Sequence, residues 1–547
     1  MEEGMTTTMD EARKRFVHVD AYLQNLPSHL GVPEFLQKLD RSLKKVKNPN
    51  IIYPVGDPIF VHIFRSESGE MRYNAIEPRL SEEEERLYQL VLDRMIAYAH
   101  TAPIPDTTED VEKILVDLLD NLVEIEGGVT KPTLWEKGLS ITKAKIVLTR
   151  TQYEMIKYYL IRNRVGFGKL DPILKDPYLE DVHCTGVGNI KTVHKIFGLV
   201  YTNIEFKDDL ELDKYVVSVS ERVERPTSDA HSVVDAMMPD GSRANFIYGR
   251  DISLEGTSFT LRKFSKVPIS ITQVVNWGTM SSELAAYLWI ALENHMNLFV
   301  CGETASGKTT TLNAICAFIP PDDKVYTVEN TPEVTMPHDV WQHLLTREAG
   351  KSSDVTYQDL LLAALRSRPN YIIVGEIRGA EGSIAFQAMQ TGHAVMSTFH
   401  AGSTTAMIQR ITGDPINIPI TFVDNLNLCL IQMAVQHNGQ SLRRVLSLTE
   451  IERFWEPTKK MITRQVFDWN AIEDIHTFRG MFNSYILEQK IAARLGYSDP
   501  RKIYDELALR KRVIDRMIEE KIFNYFEVWE LIKKFRYKGV KALPFKV

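Results

Sequence analysis

The spacing of apolar residues changes along this chain, and the changes mark out its parts. Residues 1–80 are weakly patterned; their most apolar piece, IIYPVGDPIFVHIF, is broken by Pro54, Gly56 and Pro58 and predicts short strands and turns in an N-terminal accessory segment. From Ser81 the period becomes helical. Ser81 and Glu84 have the spacing of a capping box, and Leu87, Leu90 and Val91 begin an apolar stripe. After Thr107 and Asp110, the residues Val111, Ile114, Leu115, Leu118, Leu119 and Leu122 repeat at helical spacing until Gly127 and Gly128. A third amphipathic helix is predicted over Thr142 to Arg162, which makes 81–166 a helical bundle.

Residues 167–266 show short apolar runs between Gly, Asp and Pro, the pattern of strands and hairpins in an α+β domain. Residues 267–280, within KVPISITQVVNWGTMSS, read as a linker into a last domain over 281–547. That domain opens with a helix from Ser281 to His295 and a buried strand in MNLFVCG. Its last 130 residues read as mostly helical, with Val513, Ile514, Met517 and Ile518 on one face of a late helix.

With 547 residues and 44% hydrophobic side chains, the chain can bury several cores, about three by length. A net charge of −7 gives no polyanion-binding signature, and Lys44, Lys45 and Lys47 read as solvated surface, so no nucleic-acid partner is expected. The four cysteines, Cys184, Cys301, Cys316 and Cys429, are scattered without a CxxC pair, which suits a reducing cytosol and excludes a cysteine zinc site. No signal-peptide core follows Met1. The most apolar helical stretch, LAAYLWIALENHMNLFV, is interrupted by Glu293, Asn294 and His295, so any membrane role is expected to run through partners.

GETASGKT, Gly302 to Thr309, matches GxxxxGK[ST] between an apolar strand and the helix-compatible TTLNAICAFI. Gly302 and Gly307 permit a tight loop that aims backbone N–H groups at phosphate oxygens, and the following helix N-terminus adds positive potential. Lys308 can reach the β- and γ-phosphates, and the Thr309 hydroxyl can ligate Mg²⁺. The nucleotide-binding set is Gly302, Thr304, Ala305, Ser306, Gly307, Lys308, Thr309 and Thr310.

Such a site needs an acid for metal and water. Glu329 ends a short strand in KVYTVENTPEV, with Glu333 four residues later; Glu376 and Arg378 follow the apolar run YIIV in PNYIIVGEIRGAEG, where α/β sheets present ligand-binding residues. An isolated acid at a strand end is as often a solvated carboxylate, but beside a phosphate loop the balance reverses. No guanine-specific NKxD is present, which points to ATP. In TGHAVMSTFHAG, His393 and His400 are seven residues apart, about 23 Å in a strand and about 10 Å in a helix, too far to share one metal without a sharp fold-back. AVMST reads as a buried strand with His393 at its start and His400 at its far end, near the strand end of Glu376.

The four segments GETASGKT, TVENTPEV, VGEIRG and TGHAVMSTFHAG, in that order, resemble the Walker A, Asp box, Walker B and His box of the secretion and type IV pilus superfamily of hexameric ATPases, over roughly residues 167 to 440. NPNIIYPVGDPIF, the long N-terminal extension and the helical tail look most like the archaellum motor ATPase, which drives assembly and rotation of the archaeal flagellum; archaeal pilus and secretion ATPases share a similar core. The resemblance implies an α/β protein: a PAS-like N-terminal domain, a flexible linker and a RecA-like P-loop ATPase domain, with ATP between them. It also implies a homohexamer on the cytoplasmic face of the membrane, a polytopic membrane platform protein and a second cytoplasmic ATPase-like accessory protein as partners. Glu376 would position Mg²⁺ and water, with Glu329 beside it. His400 would act as γ-phosphate sensor or water-network partner, and His393 as a support to neighbouring active-site loops. Arg243 in PDGSRANF, Arg262 in SFTLRKF and Arg225 in VERPTSD, ranked in that order, would supply arginine fingers. Asn330 and Gly379 stand where the family often has Asp, which leaves Glu329 as the stronger Asp-box acid.

Two other readings compete. A nucleic-acid motor is opposed by the acidic balance and the lack of a basic, aromatic-rich stripe, and a scaffold without turnover by the presence of both Glu329 and Glu376.

Overall fold

A computed structural model describes residues 8–101, 103, 108–126, 145–263, 267–347, 353–437 and 440–547. The chain divides into two compact units, Met1–Phe264 and Ser265–Val547.

The first unit is built on a ten-stranded sheet. From edge to edge its strands are Glu34–Phe35, Asn50–Gly56, Ile59–Arg65, Met71–Ile76, Gly198–Phe206, Gly188–His194, Leu179–Cys184, Ser258–Arg262, Arg243–Ile247 and Val233–Met237. Residues 1–80 are therefore no separate accessory segment: Met71–Ile76 pairs in parallel with Gly198–Phe206, with Arg72 opposite Tyr201. Beneath this seam the buried Tyr53 and Tyr73 donate to Asp176 Oδ2 at 2.7 and 3.0 Å. Burial pushes the Asp176 carboxyl upward, and the two tyrosine hydrogen bonds are among the contacts that counter it. Pairing between segments so far apart in the chain leaves no local periodicity, which is why the early strands read as independent.

The helices Glu82–Tyr98, Thr108–Leu122 and Arg150–Arg164 share their own apolar cluster, including Val91, Leu119, Ile156 and Leu160. The capping box of Ser81 and Glu84 forms as its spacing predicts. The third helix starts at Arg150, capped by Thr149 and Gln152, because Ile146–Leu148 is a strand paired with Val123–Ile125. That strand also means the second helix stops at Leu122. Thr107, Gly127, Gly128 and Thr142 lie outside the described residues.

The second unit carries a nine-stranded sheet in the order Trp341–Leu345, Val325–Glu329, Tyr371–Glu376, Ala394–Phe399, Leu298–Cys301, Leu428–His437, Gln440–Trp455, Lys460–Asn470 and Ile475–Phe478. Neighbours are parallel through Leu428–His437 and antiparallel beyond it. Two expectations change here. The linker at 267–280 contains the helix Ile271–Asn276, capped by Ser270 and Gln273, whose Ile271 and Val274 join the core. The last 130 residues are not mostly helical: 428–478 is a strand meander, readable in the alternation of LRRVLSL, before helices Ile503–Glu519 and Tyr525–Lys538. The helix Ser282–Glu293 is buried nearly all round; its Trp289 stacks on Phe318 at 5.3 Å and meets Phe535 edge-on at 5.2 Å. Buried Glu450 accepts from Tyr287 at 2.6 Å and from the Tyr485 N–H at 2.8 Å, fastening the meander to the helical layer.

Replacing Asp176 by Ala leaves two buried hydroxyls without their acceptor, at a cost of about 3 kcal/mol. Hydrogen exchange on the full chain should show roughly 100-fold faster exchange in strands 50–56 and 71–76, with 298–301 unchanged.

Candidate functional site

The strand Leu298–Cys301 is wholly buried between its parallel neighbours, and at its end the chain turns through Gly302–Gly307 into the helix Lys308–Cys316. Ala305 and Gly307 take positive φ of 62° and 90° to make that turn. Gly307 caps the helix with no side-chain acceptor, so the first-turn N–H groups stay directed into the loop. Both motif glycines are also demanded by a neighbour. A Cβ at Gly302 would lie 2.1 Å from the Gln432 carbonyl oxygen, and one at Gly307 would lie 2.9 Å from Gln432 Nε2. Gln432 Nε2 donates to Ser306 O at 2.8 Å, its Oε1 accepts from Thr311 at 2.6 Å, and Arg443 Nε donates to Ala305 O at 3.1 Å.

Inside the loop, Lys308 Nζ and the Ser306 N–H converge on Glu303 O at 2.9 and 3.3 Å. Partial burial lowers the Lys308 ammonium from its usual value, and the Glu376 and Glu333 carboxylates pull it back. Thr304 and Ala305 are exposed, Ser306 is buried, and Thr309 and Thr310 lie half-buried in the first helical turn.

The two candidate acids have different surroundings. Glu329 is 2% exposed; its Oε1 accepts from the N–H groups of Glu333 and Val334, each at 3.0 Å, and its Oε2 lies 2.9 Å from His343 Nε2. Its stem packs beneath Gly375, where a Cβ would come within 3.2 Å of Glu329 Cγ. Glu376 follows a register shift at the end of its strand, and its side chain is 25% exposed. Arg378 grips Glu376 Oε2 through Nε and Nη2 at 2.8 and 2.5 Å, while Glu381 closes the turn by accepting from the Arg378 and Gly379 N–H groups. Asn330 holds the neighbouring strand end, accepting from Thr346 at 2.7 Å.

The two histidines stand at opposite ends of the buried strand Ala394–Phe399. His400 Nε2 lies 3.3 Å from Thr304 Oγ1, on the phosphate loop. His393 sits at the strand's other end, where its Nδ1 meets Thr391 Oγ1 at 3.1 Å, away from the phosphate loop that His400 meets. The fold thus gathers Gly302 to Thr310, Glu376, Arg378 and His400, with Glu329 behind them. The three arginines belong to the other unit. Arg243 and Arg262 are directly opposite on adjacent strands, both on the exposed face, and Arg225 follows the helix Asp209–Arg222.

Residues 180–438 match the family described as type II/IV secretion system protein. The chain is 49% identical to the uncharacterized protein MJ0900 of Methanocaldococcus jannaschii over 98% of both chains. The chain belongs to the type II/IV secretion system protein family. It is also similar to the Bordetella pertussis type IV secretion system protein PtlH, 38% identical over 23% of this chain and 38% of that one. Among solved structures it is similar to the Legionella pneumophila ATPase DotB, at 17% identity over 65% of this chain and 91% of that one, with a TM-score of 0.37.

In this member of the family the sequence motifs omit part of the site. His343 holds Glu329, and Gln432 and Arg443 hold the loop, while Glu333, inside the TVENTPEV motif, acts on Lys308. Only Gln432 left a local sign, a lone amide inside the apolar run LCLIQMAV.

The contrast between the acids is measurable. Glu329→Ala removes a buried acceptor of three donors and should cost about 2–4 kcal/mol in urea unfolding. Glu376→Ala loses only a partly exposed ion pair and should cost less than about 1 kcal/mol.

Proposed function

We propose that the chain hydrolyses ATP at the Gly302–Thr310 loop and, as a ring of six on the inner face of the cell membrane, drives assembly or rotation of an archaellum through a polytopic membrane platform protein. The observation that carries the ATPase reading is the convergence of Lys308 Nζ and a loop N–H on one oxygen, with the Glu376 carboxylate acting on the same ammonium. That geometry suits a phosphate oxygen held beside an acid. Lys308 and the loop amides bind the phosphates, and Glu376 orients the attacking water from a neighbouring strand end. His400, against Thr304, senses the γ-phosphate.

The Thr309 hydroxyl and the Glu376 carboxylate are hard oxygen donors, a set that fits Mg²⁺ when phosphate oxygens and water complete the shell. Bound there, Mg²⁺ would neutralise charge on the phosphates. Arg243 and Arg262 are the first two arginine-finger candidates; they face each other on adjacent strands, and Arg243 lies 3.7 Å from Asp235, an exposed pair that a phosphate could replace at little cost. Arg225 is the third candidate, and residues 167–266 take the part of the PAS-like domain. Among the described residues no helix is long and apolar enough to cross a membrane, so force would pass through the platform protein.

Archaeal pilus assembly or type II/IV secretion is the alternative use of the same chemistry, favoured by the secretion-system name of the Bordetella relative. Co-purification of a polytopic membrane protein that stimulates ATP turnover supports a platform. Loss of motility with surface filaments retained then selects rotation over assembly.

Lys308→Ala should reduce ATP hydrolysis by about 100-fold or more, and Glu376→Gln should do so while retaining ATP binding. Near-normal hydrolysis in both variants overturns the reading. His400→Ala should lower turnover by about ten-fold or more with ATP affinity within about three-fold; equal turnover removes His400 from the reaction.

A further inference from the structure

Gln432 and Arg443 stand on the two strands of one hairpin, Leu428–His437 and Gln440–Trp455, 126 and 138 residues after the carbonyls they hold. Those carbonyls, Ser306 O and Ala305 O, point out of the loop toward them. A trans peptide is planar, with its C=O and the following N–H on opposite sides. Holding the carbonyls of 305 and 306 outward therefore turns the N–H groups of Ser306 and Gly307 inward. The Ser306 N–H has that direction, since it reaches the same Glu303 oxygen as the Lys308 ammonium.

The hairpin fixes both side chains. Gln432 is 1% exposed, and acceptance from Thr311 at its Oε1 determines which end of the amide faces Ser306. The hairpin's register shifts between Ile431 and Gln432, next to this contact. Arg444, the residue after Arg443, turns to the opposite face and pairs with Asp474 at 2.7 and 2.8 Å, so strand alternation keeps Arg443 on the loop side. The close approach that makes Gly302 and Gly307 obligatory is to this same hairpin.

We infer that Gln432 and Arg443 are positioning residues that aim the Ser306 and Gly307 amides at the β-phosphate of a bound nucleoside di- or triphosphate. The inference rests on the ATPase reading above and extends it to residues outside the four motifs. Its signature follows from the phosphate concerned. The β-phosphate is common to ADP and ATP, so losing a positioning residue weakens both nucleotides equally, whereas losing a γ-phosphate contact weakens ATP alone.

The test uses the full chain, with ADP and ATP affinity measured by calorimetry and turnover by phosphate release. Arg443→Gln is exposed enough to fold normally and should weaken ADP and ATP alike by about five- to ten-fold, with kcat within about three-fold. Arg443→Lys keeps a donor and should recover at least half of that loss. Gln432→Met keeps the buried volume and should reproduce the shared loss; a circular-dichroism melt coincident with the parent's shows that folding is intact. Unchanged ADP affinity in Arg443→Gln and a correctly folded Gln432→Met, or a loss confined to ATP, overturns the inference while leaving the ATPase reading in place. A parent chain that binds neither nucleotide overturns both.

Discussion

Donors that converge on one point cannot be held there by the loop that carries them. Lys308 Nζ and the Ser306 N–H share Glu303 O, and each amide turned inward leaves a carbonyl turned outward that must be satisfied elsewhere. In this chain the outward carbonyls of Ala305 and Ser306 are met by Arg443 and Gln432. The hairpin that supplies them is tied in turn by Arg444 to Asp474 and by Glu450 to the helical layer. Local loop geometry thus depends on a strand meander and on the apolar core beneath it. The Gly302 position shows how little room is left, because even a methyl group there meets the Gln432 backbone.

The same logic separates the two carboxylates. Glu329 and Glu376 end strands that lie side by side, yet one is absorbed into the framework and the other faces out. Two N–H groups and His343 make Glu329 a tie between its strand and residues 333–334. Freeing it for proton transfer would break those contacts in a buried setting, where lost hydrogen bonds are expensive. Glu376 is held by Arg378, a partly exposed pair that a phosphate could rearrange at little cost. The surroundings therefore favour the proposed division, with chemistry on Glu376 and support on Glu329.

Much of the site was legible because its signals are local. The spacing of Gly302, Gly307, Lys308 and Thr309, the apolar strand before them and the strand-end position of Glu376 all follow from residues within one βα unit. The helix and strand flanking the loop formed where their periodicity put them, and so did the strand between His393 and His400. Legibility failed where partners are distant. The pairing of Met71–Ile76 with Gly198–Phe206 merged the first eighty residues into the larger sheet, and the strand at Ile146–Leu148 shortened the third helix from its N-terminal side. The capping signal of Ser270 and Gln273 was present in the supposed linker, between Pro268 and Gly278.

By itself the sequence determined that a phosphate loop follows a buried strand, that acids and a histidine end neighbouring strands, and that the core is α/β. Backbone geometry and side-chain periodicity act over a few residues, so these were readable without a fold. Only the tertiary structure decided that Glu329 is tied down, that His400 and not His393 meets the loop, and that Gln432 and Arg443 hold it open. Those outcomes depend on which strand ends lie beside one another and on which donor finds which acceptor, across 96, 126 and 138 residues of chain for His400, Gln432 and Arg443.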